Sequence, residues 1–496
     1  MPDQMFVAGR WTDGHATTTI DVTSPATGEA LGSVPVSTAE DVDAAVRGAR
    51  ESAEAMDRMP VFERARLLHR TADLIEARKE ELARLIALEQ GKPLRAEAEP
   101  EVDEAAENFR VAAEDVKRLE TAVLPSQDPS KKMFTFRKPN GAYALITPWN
   151  FPFVIPSELI APALAGGNTL VFKPSEFTPL VGARMVEILE EAGFPTGAVS
   201  LVFGEAETGR ALVGHPGIDA IGFVGSADTA EAIVRTAGLK RTLIEASGNG
   251  PVIVLDDANI SSAAAMAAFG ATYVAGQCCV ATERVLVSEA VHHEFVELLL
   301  KEAAASVLGN PLEPETTMGP LNNEPVAAKM DRHVADARER GVEILTGGGR
   351  ASGFPTNLYY QLTVADRVPT DTLLFREESF GPIVPVTTFR DDEDAIRMAN
   401  DSPLGLQAAV FTSSLHRAFT FIDRLRVGNV VINDTTDYWE ALEPFGGASG
   451  TRTGWGRVGG KYGLMDMTDL RTAVIDFWNT RDGGGTPEPP PGPPPA

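Results

Sequence analysis

Two adjacent cysteines, Cys278 and Cys279, are the only cysteines in the 496 residues, and they follow Gly276-Gln277. A cysteine is either a small buried hydrophobe or, as the thiolate, a nucleophile that adds to an aldehyde carbon to give a thiohemiacetal. The Gly-Gln pair favours a loop that exposes the thiol, and a strand is predicted just beyond it, over 284–287. The local pattern leaves both readings open. Adjacent cysteines cannot staple a fold, so a reducing, cytoplasmic setting is expected.

The elements around this pair must position it. The first predicted elements are three long helices, from cap-like residues at 37–40 to about 56, over 62–90, and over 97–119. Residues 124–140 read as an excursion around one alternating piece, 133–137. From 141 to 255 short apolar runs (142–147, 169–172, 199–202, 220–224, 242–244 and 252–255) alternate with helical patterns at 155–165, 180–192, 208–213 and 229–237. That alternation predicts a parallel α/β sheet, which binds ligands at the carboxyl ends of its strands and is the nucleotide-binding candidate. A second α/β block follows to about 450. The tail, 483–496, is Pro-rich and expected to be disordered or extended.

Composition narrows the function classes. A net charge of −26 excludes the basic footprint that nucleic-acid binding needs. The longest apolar stretch, 263–276, is too short to cross a bilayer, and the first residues carry no signal-peptide pattern, so no membrane partner is expected. No metal site is expected.

Seven short motifs occur in one order: Pro148-Trp149-Asn150-Phe151-Pro152, Lys173-Pro174-Ser175-Glu176, Gly222-Phe223-Val224-Gly225-Ser226, Glu245-Ala246-Ser247-Gly248, Gly276-Gln277-Cys278-Cys279, Glu377-Glu378-Ser379-Phe380-Gly381-Pro382 and Pro444-Phe445-Gly446-Gly447. In that order they resemble the aldehyde dehydrogenase superfamily over nearly the whole chain. The resemblance implies a Rossmann-type nucleotide-binding domain (1–118 and 140–247) and an α/β catalytic domain (248–449). It also implies a small β oligomerisation element (119–139 and 467–482), and hence a homodimer or homotetramer. The implied reaction is NAD-dependent oxidation of an aldehyde to a carboxylic acid through a Cys279 thioester. Cys278 falls at a variable position. Asn150 matches the oxyanion donor and Glu245 the base that activates water for deacylation.

The resemblance also assigns the cofactor NAD to Thr147, Trp149, Lys173, Ser175, Glu176, Gly225, Ser226, Ala246, Glu378 and Phe380. A carboxylate at Glu176 accepts hydrogen bonds from ribose hydroxyls and repels a 2′-phosphate, which favours NAD over NADP. Four departures stand out. Ser247 and Ala230 replace glycines common in relatives, Leu159 replaces a relay lysine, and Asp469 stands where a longer carboxylate completes that proton relay. For the substrate pocket the resemblance points to Phe153, Glu158, Tyr273, Tyr438 and Phe445. The loop 433–443 carries Asp434, Asp437, Glu440 and Glu443 with no Lys or Arg. These acids are either ordinary surface charge or a mouth tuned to cationic or hydroxylated aldehydes. Rival readings are a CoA-acylating relative, against which Glu245 argues, a catalytically silent binding protein on the same fold, and an NADP-linked reductase.

Overall fold

The computed structural model describes residues 4–477, so the expected tail at 483–496 and residues 478–482 of the small β-element lie outside the described residues. Two sheets dominate. The first has eight strands in the order Gly454–Trp455, Arg241–Ala246, Ala220–Gly225, Ala142–Ile146, Thr169–Lys173, Val199–Leu201, Met5–Val7, Arg10–Thr12. Its five central strands are parallel, and the strands at both ends are antiparallel. Chain order reverses between Ala142–Ile146 and Ala220–Gly225, which opens a crevice at their carboxyl ends.

Seven strands make the second sheet: Glu343–Thr346, Thr363–Asp366, Ile383–Phe389, Arg284–Ser288, Pro251–Val254, Gln407–Phe411 and Asn429–Ile432, parallel except for the first pair. The run expected at 252–255 therefore belongs to this sheet and not to the nucleotide-binding one. An apolar run of four residues fits either sheet; pairing decides. A third sheet joins Lys131–Pro139 to Thr468–Asp476 over nine residue pairs, with Val123–Leu124 on its other side.

The N-terminal helices are more broken than their periodicity suggests. One continuous helix was expected over 62–90, but Val61–Ala77 and Lys79–Glu89 meet at Arg78, whose φ of −112° and ψ of 15° interrupt the turn. The expected helix over 97–119 is Glu99–Asp115 with a wide turn, Leu94–Ala98, before it and a tight one, Val116–Arg118, after it. Ahead of them lie two hairpins that carried no readable period. Met5–Val7 and Arg10–Thr12 are three residues each, too short for an alternation signal, and the first joins the sheet through the distant pair Phe6 and Leu201.

Buried glutamates fasten these layers where the motifs meet. Glu101, paired with Lys92 Nζ at 2.6 Å, accepts hydrogen bonds from the N–H groups of Phe153 and Val154 (2.8 and 3.2 Å). Those amides open the helix Val154–Ala165 and have no partner within it. Glu97 accepts from Val274 N–H at 3.0 Å, and Glu283 from Ser379 and Phe380 N–H, both at 2.8 Å. All three are 3% exposed or less, so each bond is shielded from water and holds its loop firmly.

Candidate active site

The Cys279 loop is held in an unusual backbone. Val274, Ala275 and Gly276 take successive left-handed conformations (φ 50°, 53° and 71°) at the end of the helix Ile260–Thr272. A Cβ on Gly276 would sit 2.2 Å from Gly381 O, so only glycine allows the loop to pass there. Gln277 is buried and ties the loop on both sides, donating to Val274 O at 2.8 Å and accepting from Asn322 N–H at 2.8 Å. Non-glycine residues in this region cost roughly 1–3 kcal/mol each and persist only where surroundings over-determine them.

Asn150 reaches the same loop. Its side-chain N–H₂ donates one hydrogen to Gln277 O at 3.0 Å, and its Oδ1 has no partner. One amide hydrogen is left for an oxygen beside Cys279. Opposite, Glu245 near the end of Arg241–Ala246 is 4% exposed, and its Oε1 also lacks a partner. Burial and the nearby Glu378 carboxyl raise its pKa to about 8, against a hydrogen bond with Cys279 that lowers it. Gly248 makes the approach possible: a Cβ there would stand 1.9 Å from Cys279 O. Ser247 takes a left-handed φ of 58°, a conformation that glycine adopts without strain, in keeping with the glycine the resemblance puts there. The Cys279 thiol is pushed well above its ordinary value by its hydrogen bond with Cys278, by burial and by Glu245.

Three cavities run in series through this region. A crevice of about 440 Å³ at the strand-order reversal is lined by Thr147, Lys173, Ser175, Glu176, Gly225 and Ser226. Through Gly225 and Ser226 it continues into a pocket of about 190 Å³ beside Trp149, Asn150, Glu378 and Phe380. Beyond lies a chamber of about 90 Å³ with Glu158, Tyr273 and Phe445 in its wall. Cys279 and Glu245 line both the middle pocket and the chamber, whereas Cys278 lines the chamber alone. Ser226 caps the helix Ala227–Ala237 by accepting from Thr229 N–H, and the amides of that first turn face the crevice.

Several residues named from sequence do not reach these cavities. Phe153 is fully buried in the helical core, and Phe151 lines the chamber in its place. Tyr438 is 45% exposed with its hydroxyl on Glu440 (2.8 Å), and its neighbour Trp439 turns inward instead. Asp469 lies on the surface strand Thr468–Asp476, 3.2 Å from Arg241, and lines none of the three cavities; Leu159 is buried in the core. Ala246 is buried, and Ser247 lines the middle pocket. Ala230 packs into the core and does not line the crevice. Of the loop acids only Asp437 faces the chamber: Glu440 bonds Tyr438, Glu443 bonds Asn429, and Asp434 bonds Thr435 N–H.

Residues missed from sequence include Glu104 in the chamber, Arg210 in the crevice, and Lys329, whose Nζ lies 5.5 Å from the Phe380 ring. Each sits mid-helix or at a helix surface with no motif around it, so nothing local marks it out.

Cys279 thus stands between the crevice and the chamber with an amide donor and a buried carboxyl beside it, an arrangement that can support thiol chemistry on a bound substrate. The aldehyde dehydrogenase family model matches residues 11–473, and the chain belongs to that family. It is 37% identical to the mitochondrial succinate-semialdehyde dehydrogenase of Oryza sativa, over 94% of this chain and 88% of that protein. It is 36% identical to the NADP-dependent succinate-semialdehyde dehydrogenase of Escherichia coli, over 95% and 97%. Among solved structures, an NAD-dependent aldehyde dehydrogenase from Sinorhizobium meliloti superposes with a TM-score of 0.93 at 35% identity, over 98% of this chain and 95% of that one. The fold is thus that of the aldehyde dehydrogenases, and the protein is an aldehyde-oxidising enzyme. Among the described residues no helix is long and apolar enough to cross a membrane.

Proposed function

We propose that the chain oxidises its aldehyde with NAD, through a thioester on Cys279 that water cleaves to a carboxylic acid. The observation that carries this reading is the position of Cys279 and Glu245 at the junction of the two inner cavities, open both to a substrate and to a cofactor ring. The residues present fit a dinucleotide. Thr147 Oγ1 is buried without a partner in the crevice wall, and the N–H groups of Ala227 and Asp228, ahead of the Thr229 N–H that Ser226 caps, would receive a pyrophosphate. Lys173, Ser175 and Glu176 would hold the adenosine ribose, and Glu378, whose Oε1 accepts from Gly248 N–H at 2.9 Å, the second ribose. When bound, NAD supplies the two-electron acceptor.

The protein's own groups then divide the work. Cys279 loses its thiol proton to solvent and attacks the carbonyl carbon as the thiolate, and the oxygen that becomes negative is held by the free Asn150 amide hydrogen and the Cys279 N–H; such a donor is typically worth about 2.7–4 kcal/mol. After oxidation the thioester carbon is attacked by water, whose proton passes to Glu245. The tetrahedral adduct collapses, the C–S bond breaks, and Cys279 is regenerated as the acid leaves. Glu245 also separates this reading from a CoA-acylating one, in which water is not activated.

Relatives use both NAD and NADP, so cofactor choice is a property of this chain's own crevice. Glu176 stands 3.8 Å from Lys173 Nζ and presents its carboxylate to the crevice. We expect kcat/KM to be higher with NAD than with NADP, and Glu176→Ser to narrow the gap by removing repulsion of the 2′-phosphate. Exposed Arg210 is the one arginine on the crevice wall and is the control: Arg210→Ala should weaken NADP alone. Equal use of both cofactors by the unaltered enzyme would refute the role of Glu176.

The same reading expects a homo-oligomer. Thr468–Asp476 is an edge strand with Leu470, Val474 and Ile475 at least half exposed, and edges of that kind are normally covered. Sedimentation should show a dimer or larger, and Leu470→Lys with Val474→Lys should shift it towards monomer; a monomeric unaltered chain would contradict this.

A further inference from the structure

We propose that the chamber beside Cys279 takes an aldehyde bearing an ammonium-type cation, held by Glu104, Glu158 and Asp437 and walled by aromatic rings. This rests on the aldehyde-oxidising reading above and adds the substrate class to it.

The three carboxyls come from three separate elements: Glu104 from the helix Glu99–Asp115, Glu158 from the helix Val154–Ala165, and Asp437 from the loop after Asn429–Ile432. Neither Glu104 nor Glu158 has a hydrogen-bond or ion-pair partner among the described residues. Glu245, 4% exposed with Oε1 unpartnered, adds a fourth acid to the same wall. No lysine or arginine lines the chamber. The nearest buried cation, Lys92, is committed to Glu101 at 2.6 Å and stands 3.8 Å over the Phe151 ring. Glu104, Glu158 and Asp437 are partly buried and Glu245 is buried, so charging several acids in this space is costly, and a cation among them relieves that cost. Phe151, Tyr273, Trp439 and Phe445 line the same chamber beside Val154, Ile155 and Val280, and aromatic rings attract a quaternary or primary ammonium group. A carboxylate-bearing aldehyde would bring another negative charge into this space and meet no free cation. The succinate-semialdehyde names of the relatives therefore do not transfer to this pocket.

Protonation gives the arrangement a pH signature. Burial and neighbouring acids push Glu104 to about 7 and Glu158 well above the carboxylate range, and burial brings Asp437 to about 7. Cys278, Cys279, Tyr273 and Glu245 face them within the chamber, Glu97, Glu101 and Lys92 lie behind, and Glu378 adds its charge from the cofactor side. Below pH 7 these acids hold protons and attract a cation weakly. A bound ammonium group favours their charged forms, so binding releases protons and strengthens as pH rises.

The test compares length-matched aldehydes bearing a quaternary ammonium, a neutral isosteric or a carboxylate group, with NAD, from pH 6 to 8.5 at low and high salt. The quaternary charge does not titrate, so any pH dependence belongs to the protein. The ammonium aldehyde should exceed the neutral one in kcat/KM by on the order of tenfold, and the carboxylate one by more. Its KM should fall relative to the neutral aldehyde's as pH rises through 7, and the advantage should shrink with salt. Glu158→Gln and Glu104→Gln should each cut the ammonium-to-neutral ratio several-fold, and tetramethylammonium should compete with the neutral aldehyde. Equal kcat/KM for all three charges, insensitive to salt and pH, would overturn the inference while leaving aldehyde oxidation intact. Failure to oxidise any of the three would instead strike the underlying reading.

Discussion

Replacing Cys279 with alanine should abolish NADH formation, while the dinucleotide still binds. Cys279 lines the pocket beside Glu378 and Phe380, but the crevice walls carry most of the expected cofactor contacts. Without the sulfur there is no thiohemiacetal, and the remaining donors polarise a carbonyl that nothing attacks. Steady-state turnover should fall below detection, with cofactor affinity changed by little on titration. Cys278→Ala should keep most of its turnover, because Cys278 opens only into the chamber. The reverse pattern, a dead Cys278 variant and an active Cys279 variant, would show that the wrong sulfur has been assigned. Because Cys278, burial and Glu245 hold the Cys279 thiol protonated, alkylation of the cofactor-free protein should be slow at pH 7 and accelerate as pH rises.

Glu245→Gln should separate the two halves of the reaction. A glutamine is nearly isosteric and leaves the cavity wall in place, but it cannot take a proton from water. Rapid mixing should give a burst of NADH near one per active site, followed by turnover slowed by about 10²- to 10⁴-fold. A variant with a uniformly slow first turnover and no burst would mean that Glu245 activates the thiol instead. The pH dependence has a definite sign. With Glu245 raised to about 8, its basic form is the minor one at neutral pH and grows as pH rises. Where deacylation limits turnover, kcat should climb through pH 7 to 8 and level off above. A kcat that is flat or falling over that range would remove Glu245 as the base.

The family and the candidate site residues were legible along the chain, because they reside in short motifs that occur in one order. A thiol after Gly-Gln, an amide between prolines and a carboxyl ending an apolar strand keep their identity whatever packs around them. The parallel strands of the first sheet were legible as well, since each is an apolar run between helical periods, and their carboxyl ends mark the crevice.

Direction and pairing were not legible, and tertiary structure decided them. A side chain's bearing turns by about 100° per helical residue and reverses at each strand residue, so a neighbour in sequence often faces the opposite way. Phe151 thus enters the chamber where Phe153 was expected, and Trp439 where Tyr438 was. The acids of 433–443 are one charge run in sequence, yet three bond to their own loop or to the strand beside it and one turns inward. Glu104 and Glu158, 54 positions apart, meet only because the helices Glu99–Asp115 and Val154–Ala165 pack together, with Glu101 fastening the start of the second. The sequence by itself determined which side chains are candidates to react. Long-range packing, which no local window encodes, decided which charges surround them, and the proposed preference for a cationic aldehyde rests on that.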